Sequence, residues 1–292
     1  MHLGQIRHDG AVIAAIFEGP PASTGTITAR PIPAHTVCDL ISRAESEGIP
    51  VNQLAASLAS RHPVTTMPLI PIFPAEVWAS GCTYETSATF RDGETVAIDK
   101  GTREGMYAHV YHAERPEIFF KGTARVCVGP GQSIGIRSDS KFTAPEPELA
   151  VVLGRKGKIV GYTLANDVSA WDIERENALY LPQSKVYTAC CALGPVIVTT
   201  DEIGDPYKLE MTCEILRGAD VRFSGSTSTA KLHRRIEQIV DYLTRSNPIP
   251  AGSVLCTGTG IIVTEEVALA VGDVVRIRVP EIGELSNPAA IV

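Results

Sequence analysis

The chain has 292 residues, of which 44% are hydrophobic and 20% charged, and its formal net charge is −7. A chain of this length and composition buries a sizeable core without disulfides and is typical of a globular protein rather than a disordered one. The acidic balance argues against nucleic acid or an anionic membrane as the main partner, because both attract basic surfaces. We therefore expect neither partner.

The cysteines and the N-terminus narrow the class of protein further. The seven cysteines are scattered, and none forms a Cys-x-x-Cys pair. The odd number and the spacing disfavour both a disulfide framework and a zinc site. The N-terminal stretch MHLGQIRHDG lacks the apolar segment of a secretion signal, and no window has the length and apolar composition of a membrane span. These features predict a cytoplasmic protein.

Residues 1–75 are predicted to form a small α/β domain of their own. The run AVIAAIFEG (11–19) is typical of a short strand, and residues 36–49 place apolar side chains at the i, i+3, i+4 spacing of an amphipathic helix. Residues 51–63 predict a second helix that ends at its final proline. The proline-rich stretch 63–74 is poor in backbone donors and suits an extended connector, so the domain boundary is predicted there.

Residues 76–292 are predicted to form a larger, β-dominated catalytic domain, which makes the fold class α+β. One amphipathic helix is expected within 228–246, capped by Ser228 or Thr229. The candidate strands are residues 125–137, 148–154, 158–167, 194–200, 209–218, 252–263 and 273–280.

Two acids precede one of these apolar strands. Glu146 and Glu148, in PEPELAVVLG (145–154), are two residues apart, so on an extended strand both project to the same face. Carboxylates this close repel each other, and one is driven neutral unless a cation lies between them. The alternative is an edge strand with two solvated acids.

A third acid is expected beside them. A turn at residues 154–158 would return the strand 158–167 alongside the first one, with Asp167 at its end. Three carboxylates are hard oxygen ligands that suit Mg²⁺ or Mn²⁺, ions that keep part of their hydration shell for substrate. The pattern therefore predicts a divalent metal site formed by Glu146, Glu148 and Asp167.

Two further residues are candidates for acid–base chemistry. Lys185 lies between a proline turn and an apolar segment, where partial desolvation would lower its pKa toward a useful range. The alternative for Lys185 is an ordinary surface lysine. Glu117, in RPEIFFKG (115–122), has an aromatic setting that would raise its pKa, as befits a proton shuttle. The alternative for Glu117 is an ion pair with Arg115 or Lys121.

The segment CTGTGI (256–261) is a candidate anchor for a substrate carboxylate. It offers Thr257, Thr259 and glycine amides, and backbone donors of this kind suit an anionic group. A plain β-turn is the alternative.

Five stretches of the chain resemble the fumarylacetoacetate hydrolase superfamily, and they cover most of residues 78–292 in the order of that family. They are PEPELAVVLG, GYTLANDVSAWD, LGPVIVTTDEI, GSVLCTGTG and VGDVVRIRVPEIGELSNPA. The resemblance implies a mixed β-roll catalytic domain, the metal ligands Glu146, Glu148 and Asp167, and a site lysine at Lys185. It also implies Mg²⁺, with Mn²⁺ or Ca²⁺ as substitutes, and a homodimer or homotetramer.

Within this family, the chain resembles the branch that dehydrates 2-keto-3-deoxy sugar acids. The stretches that carry this likeness are EVWASGCTYE, RPEIFFKG, ENALYLPQSKVY and NPIPAGSVLCTGT. The resemblance implies a Mg²⁺-dependent hydro-lyase that converts 2-keto-3-deoxy-D-arabinonate or -xylonate to 2-oxoglutarate semialdehyde in pentose catabolism. Glu117 and Lys185 would form the acid–base pair, with either one as the base. The residues expected to bind this small 2-keto acid are Tyr84, Glu85, Gly258 and Thr259.

Two positions depart from the family pattern. Hydrolases of the family carry a histidine in a Tyr-x-x-His pattern to activate water, whereas Tyr84 here is followed by Glu85, Thr86 and Ser87, which disfavours hydrolysis. The family sequence Ser-Ala-Arg-Asp is SAWD here, with Trp171 in place of the arginine.

Two alternatives stay open on the sequence alone. One is a C–C bond hydrolase or decarboxylase of the acylpyruvate or fumarylacetoacetate type on the same metal site, with its water held by Glu85 or Glu117. The other is a keto-acid-binding protein without catalytic activity.

Overall fold

The computed structural model describes residues 1–22, 25–95 and 105–292. The strands are β1 His2–His8, β2 Ala11–Phe17, β3 Ile27–Ile32, β4 Val64–Thr66, β5 Val77–Ala79, β6 Phe119–Gly122, β7 Cys127–Val128, β8 Ile134–Ile136, β9 Thr143–Ala144, β10 Pro147–Leu153, β11 Ile159–Asp167, β12 Ser169–Ala170, β13 Cys191–Thr199, β14 Glu210–Arg217, β15 Asp220–Ser228, β16 Ser253–Cys256, β17 Val274–Val279 and β18 Gly283–Ile291. The α-helices are α1 Val37–Glu47, α2 Val51–Leu58, α3 Glu85–Thr95, α4 Met106–His112, α5 Trp171–Glu176, α6 Leu181–Lys185, α7 Thr200–Ile203 and α8 Ile236–Thr244.

The strands of the described residues form one long sheet and a shorter one, with a small two-stranded ladder beside them. The long sheet has the order β4-β3-β2-β1-β13-β11-β10-β16-β5-β6, and β7 adds to β13. The shorter sheet has the order β15-β14-β17-β18-β8. The long sheet crosses the predicted boundary at residue 75, because β1 pairs with β13. Whether residues 1–75 fold as a domain of their own stays a prediction.

The long sheet is covered on both faces, which explains why residues 149–153 of β10 are all apolar. Leu149, Val151 and Leu153 lie in the core between the two sheets and α8. Ala150 and Val152, which point the other way, lie in a second core against α1 and α2. Every residue of β10 is therefore buried, and any charged group near this strand needs a partner.

The predicted α+β fold class is confirmed, and so are most of the predicted elements. α1 matches the first predicted helix and begins with a capping box between Thr36 and Asp39. α2 ends at Leu58, earlier than predicted, and the chain then enters β4. The predicted strand 252–263 ends at Cys256, because the following residues turn toward the site described below.

The prediction for the helix at 228–246 is wrong at its beginning. Ser228 is the last residue of β15, and its hydroxyl accepts from the Ala230 N–H at the start of a short 3-10 turn, Thr229–Lys231, that is separate from α8. α8 begins at Ile236, and its N-cap is Arg235, which makes no side-chain capping bond. The amphipathic spacing that predicted this helix is confirmed by four buried residues, Ile236, Ile239, Val240 and Leu243. Among the helices of residues 1–22, 25–95 and 105–292, none has the length and apolar character that a membrane crossing needs.

Candidate active site

The register of one hairpin brings the three predicted acids together. β10 and β11 pair antiparallel, with Glu148 opposite Ala165, and the Asp167 N–H donates to the Glu146 carbonyl at 2.9 Å. Glu146 therefore lies across from Asp167, while Glu148 lies diagonal to it on the same face. One carboxylate oxygen from each acid lies within 4.8 Å of the others, and all three side chains are buried. The geometry predicted for the three carboxylates is present, and the alternative of two solvated acids is wrong.

The Glu146 carboxylate is held on both of its oxygens. Trp171 Nε1 donates to Oε1 at 2.7 Å, and Arg91 Nη2 approaches the same oxygen at 3.1 Å. Lys185 Nζ donates to Oε2 at 2.9 Å. Burial alone would raise the pKa of Glu146, but the charges of Lys185 and Arg91 outweigh it and lower the pKa to about 2. Glu146 is therefore ionised at neutral pH.

Glu148 has the opposite electrostatic setting. Its Oε2 accepts a hydrogen bond from the Gly258 N–H at 2.6 Å. Burial, together with the negative charges of Asp167 and Glu146, raises its pKa well above the ordinary value. A carboxyl group pushed toward its neutral form by two neighbouring carboxylates is the arrangement that a bound cation would relieve.

Asp167 lies between two lysines. Lys121 Nζ is 2.5 Å from Oδ1, and Lys185 Nζ is 3.5 Å from Oδ2. Both lysines are inaccessible to solvent, with 0% and 1% of their side chains exposed. The acid at the end of β11 is thus neutralised from two directions.

Lys185 is the last residue of α6, and it is not a surface lysine. Its Nζ donates to Ser169 Oγ at 2.6 Å in addition to its contact with Glu146. Burial would lower the pKa of Lys185, but the negative charges of Asp167 and Glu146 outweigh it and raise the pKa above the ordinary value. The predicted lowering of this pKa is therefore wrong, because the sequence could not show how many carboxylates surround the ammonium group.

A small cavity collects most of the candidate residues. Its lining consists of Ser80, Gly81, Cys82, Ser87, Arg91, Phe119, Glu146, Glu148, Asp167, Lys185, Gly258 and Thr259. The metal-ligand candidates, the site lysine and two of the four predicted substrate-binding residues thus share one space.

Glu117 lies just behind this cavity. The Cys82 Sγ–H donates to Glu117 Oε2 at 3.5 Å, and Ser80 Oγ donates to the Glu117 carbonyl at 2.8 Å. Burial raises the pKa of Glu117, as the sequence predicts, although Arg91 acts in the opposite direction. The alternative of an ion pair with Lys121 is wrong, because Lys121 binds Asp167. The other alternative partner, Arg115, lies over the ring of Tyr242.

The four predicted substrate-binding residues lie at different distances from the cavity. Gly258 and Thr259 line the cavity, but the Gly258 N–H already donates to Glu148, and the Thr259 hydroxyl bonds to Ile261. Tyr84 is buried against the backbone of the same turn, at Gly260. Glu85 is exposed at the first residue of α3 and is not part of the cavity lining in the described chain.

Several site residues were missed by reasoning from sequence. Arg91, on α3, joins Glu146 to a fourth buried acid, since its Nη1 is 3.0 Å from Glu174. Trp171 replaces the family arginine, yet its indole N–H still binds Glu146, and Arg91 supplies a guanidinium group nearby, 5.4 Å from the Trp171 ring. On the sequence alone, Lys121 is considered only as an alternative ion-pair partner of Glu117. Its signal in the sequence is a lysine that directly follows two phenylalanines, in a run that reads as a buried strand.

The donor set fits a divalent cation. Three buried carboxylates that converge on one space are the hard oxygen ligands preferred by Mg²⁺, Mn²⁺ and Ca²⁺. Asp167 Oδ1 is ion-paired with Lys121, but Oδ2 is buried without a hydrogen-bond partner, with Lys185 Nζ 3.5 Å away. An ion at this position would satisfy acceptors of this kind.

Comparison with known proteins identifies the family of the chain. The family model for the fumarylacetoacetate (FAA) hydrolase C-terminal domain matches residues 88–290. The chain is 53% identical to a 2-dehydro-3-deoxy-D-arabinonate dehydratase of Saccharolobus solfataricus over 218 residues, which is 75% of this chain and 72% of that protein. It is 40% identical to a probable 2-keto-3-deoxyxylonate dehydratase of Haloferax volcanii over the full length of both chains.

A solved structure is similar along the whole chain. It is a 2-keto-3-deoxy-D-arabinonate dehydratase complexed with magnesium and 2,5-dioxopentanoate. The two share a TM-score of 0.81 and 40% identity, over 100% of this chain and 99% of that one. The predicted family resemblance and the predicted fold are confirmed.

Proposed function

The chain belongs to the fumarylacetoacetate hydrolase family, and on that premise we propose that it is a metal-dependent dehydratase of 2-keto-3-deoxy pentonates. The substrate is 2-keto-3-deoxy-D-arabinonate or -xylonate, and the product is 2-oxoglutarate semialdehyde, also called 2,5-dioxopentanoate. The observation that carries the proposal is the cluster of three buried carboxylates with Lys185 Nζ 2.9 Å from one of them, in a single cavity.

Glu146, Glu148 and Asp167 hold the cation, which is Mg²⁺ or, as a substitute, Mn²⁺ or Ca²⁺. When bound, the cation supplies positive charge that stabilises the negative charge developing on the keto oxygen of the substrate as C3 loses its proton. The second oxygens of these carboxylates are held by Trp171, Gly258 and Lys121, so the ligands are oriented before substrate arrives.

Lys185 and Glu117 carry the proton transfers. One of them removes a proton from C3, and the other donates a proton to the C4 hydroxyl, which leaves as water. A proton shift from C5 to C3 then moves the double bond to C4–C5, and the resulting enol loses its hydroxyl proton and gains one at C4 to give the aldehyde. Lys185 lines the cavity and has a raised pKa, which makes it a proton donor at neutral pH. Glu117 also has a raised pKa, and its carboxyl group lies against Gly81 and Cys82, two residues of the cavity lining.

The cavity favours dehydration over hydrolysis. Its lining, among the described residues, contains no histidine that would activate water. Of the two acids that would otherwise hold such a water, Glu85 is exposed at the beginning of α3. A C–C bond hydrolase would therefore depend on Glu117 to activate its water.

The test is turnover of 2-keto-3-deoxy-D-pentonate with Mg²⁺, with and without a chelator, followed through the aldehyde product. We expect aldehyde formation that depends on metal and is abolished in Glu148→Gln but kept in Glu281→Gln, a change on the turn before β18. Cleavage of acylpyruvates without aldehyde formation would identify a hydrolase instead. Binding of the keto acid without turnover, and with no effect of Lys185→Met, would identify a binding protein.

A homodimer or homotetramer is part of this proposal. Several large apolar side chains stay exposed in the single chain, including Phe120 on the edge strand β6 at 40% and Leu179 at 83%. Exposed apolar side chains of this size are typical of contact surfaces when they cluster. Light scattering coupled to size-exclusion chromatography checks this, and the mass of a monomer would overturn it.

A further inference from the structure

Lys121 occupies an irregular position in the long sheet. Val77 on β5 pairs with Gly122 on β6, whereas the next residue, Trp78, pairs with Phe120. Lys121 is therefore the extra residue of a β-bulge. Bulges re-aim a side chain away from the regular alternation of a strand, and here the side chain enters the interior, where none of it is exposed.

The contact that Lys121 makes depends on strong curvature of the sheet. β6 and β11 are four strands apart in the sheet order, a separation of roughly 19 Å in a flat sheet. A lysine side chain cannot span that distance, yet Lys121 Nζ is 2.5 Å from Asp167 Oδ1. The sheet therefore curls until its edge strand meets the end of β11, and the ion pair lies where the two meet.

The ammonium group of Lys121 is held by several buried contacts. Besides Asp167, it donates to the Val168 carbonyl at 2.9 Å and lies 5.9 Å from the centre of the Tyr187 ring. A buried ammonium group is costly unless it is paired and hydrogen-bonded. Keeping a lysine here, rather than an apolar residue, therefore indicates a role that depends on the charge.

The two lysines around Asp167 differ in what else they reach. Lys185 contacts Oδ2 and lines the cavity, whereas Lys121 contacts Oδ1 and is not part of the lining among the described residues. Lys121 is thus placed to act on Asp167 from behind, without touching substrate.

We infer that Lys121 is a positioning residue for the metal site: it fixes Oδ1 of Asp167, which would leave Oδ2 available to a cation. The inference rests on the proposed role of Asp167 as a metal ligand. Groups that hold a ligand from outside the first coordination sphere typically change metal affinity or activity by about 10- to 100-fold when they are removed.

The experiment measures Mg²⁺ binding by titration calorimetry in the wild type, Lys121→Met, Lys121→Gln and, as a matched control, the exposed lysine variant Lys208→Met. We expect the dissociation constant of Mg²⁺ to rise about 10- to 100-fold in Lys121→Met and less in Lys121→Gln, which keeps an N–H donor. With Mg²⁺ saturating, the KM for the keto acid should stay within about threefold of the wild type, since Lys121 does not touch substrate. Lys208→Met should match the wild type throughout.

A double-mutant cycle tests whether Lys121 acts through Asp167. In the Asp167→Asn background, the change Lys121→Met should have no further effect on Mg²⁺ affinity, whereas effects of independent sites add. Circular dichroism confirms that each protein is folded, and Lys121→Gln carries the test if Lys121→Met does not fold.

Three outcomes are decisive. If the wild type binds Mg²⁺ and Lys121→Met binds it equally or more tightly, the inference about Lys121 is overturned but the proposed metal site is not. Lys121 would then act only as an opposing charge or as part of the core. Additive effects in the double-mutant cycle also overturn it. A wild type that does not bind Mg²⁺ overturns the proposed metal site, and the inference with it.

Discussion

Trp171 and Glu146 are joined by a buried hydrogen bond of 2.7 Å, in which the indole N–H donates to carboxylate Oε1. The tryptophan stands where the family motif has an arginine, so a neutral donor holds the acid at this position. The Arg91 guanidinium group, which reaches the same oxygen at 3.1 Å, comes instead from α3. The site thus keeps both a planar donor and a positive charge beside Glu146, supplied by two different elements.

Replacing Trp171 by phenylalanine should weaken metal binding while preserving the fold. The aromatic body stays, but Glu146 Oε1 loses a buried donor, so we expect the dissociation constant of Mg²⁺ to rise about 10-fold or more. The matched control is Trp78→Phe, which removes an indole hydrogen bond to Glu76 on the side of the sheet that faces the core. Equal Mg²⁺ affinities in the two variants would contradict the role of Trp171.

Gly258 should tolerate no side chain. Its φ of +95° is in the left-handed region, and an added Cβ would collide with Thr83 Oγ1 and approach the Ser80 carbonyl. We expect Gly258→Ala to reduce kcat/KM by at least about 10-fold, because the N–H that holds Glu148 would move. Gly272→Ala is the control: its φ is +86°, but an added Cβ would meet no atom within 4 Å.

The comparison of these two glycine variants separates strain from function. Each should cost about 1 kcal/mol of stability or somewhat more from backbone conformation alone. Only Gly258→Ala should also lose activity. Loss of activity in both variants, or in neither, would contradict the assignment of Gly258 to the site.

Lys185 should be needed for turnover and not for metal binding. Lys185→Met removes the ammonium group that bridges Glu146 and Asp167, and we expect kcat to fall by at least about 100-fold. Mg²⁺ binding should be retained or become tighter, because a competing cation has been removed from two of the ligands. The control is Lys208→Met, whose side chain is exposed and pairs with Asp205. A Lys185→Met protein with normal kcat would contradict the proposed proton transfer.

The carboxylate site could be predicted from sequence because local rules determine it. Two apolar runs separated by a short turn predict an antiparallel hairpin, and the period of two along each strand places Glu148 and Asp167 on one face. Lys121 could not be found in this way, because its contact requires both a bulge and a curled sheet of ten consecutive strands. The helical spacing places the beginning of α8 too early, because Ser228 ends the hairpin of β14 and β15 and caps a separate 3-10 turn at Thr229–Lys231. The resemblance of EVWASGCTYE places Glu85 in the site, but α3 begins at Glu85 and the side chain is exposed.

The raised pKa of Glu117 predicts how the stability of the metal-free protein depends on pH. Burial raises this pKa in the folded state, whereas an unfolded glutamate titrates near about 4.3. The folded state therefore binds more protons above about pH 4.3, and stability from this group is lost as the pH rises through the folded pKa. Glu117→Gln does not titrate, so its melting temperature relative to the wild type should increase with pH above about 4.3.

Glu237→Gln provides a control of opposite sign for this measurement. Burial would raise the pKa of Glu237, but the hydrogen bond from the Tyr207 hydroxyl, at 2.6 Å, outweighs it and lowers the pKa. Stability from Glu237 is therefore present above the unfolded pKa and is lost as the pH falls through the folded pKa. The melting temperature of Glu237→Gln relative to the wild type should thus decrease with rising pH, opposite to the trend for Glu117→Gln. Differential scanning calorimetry in chelator, across about pH 3 to 8, covers the range below about pH 4.3 for Glu237 and the range above it for Glu117. A flat or falling difference for Glu117→Gln would contradict the raised pKa of Glu117, and an ionised Glu117 would then be the base, with Lys185 as the proton donor.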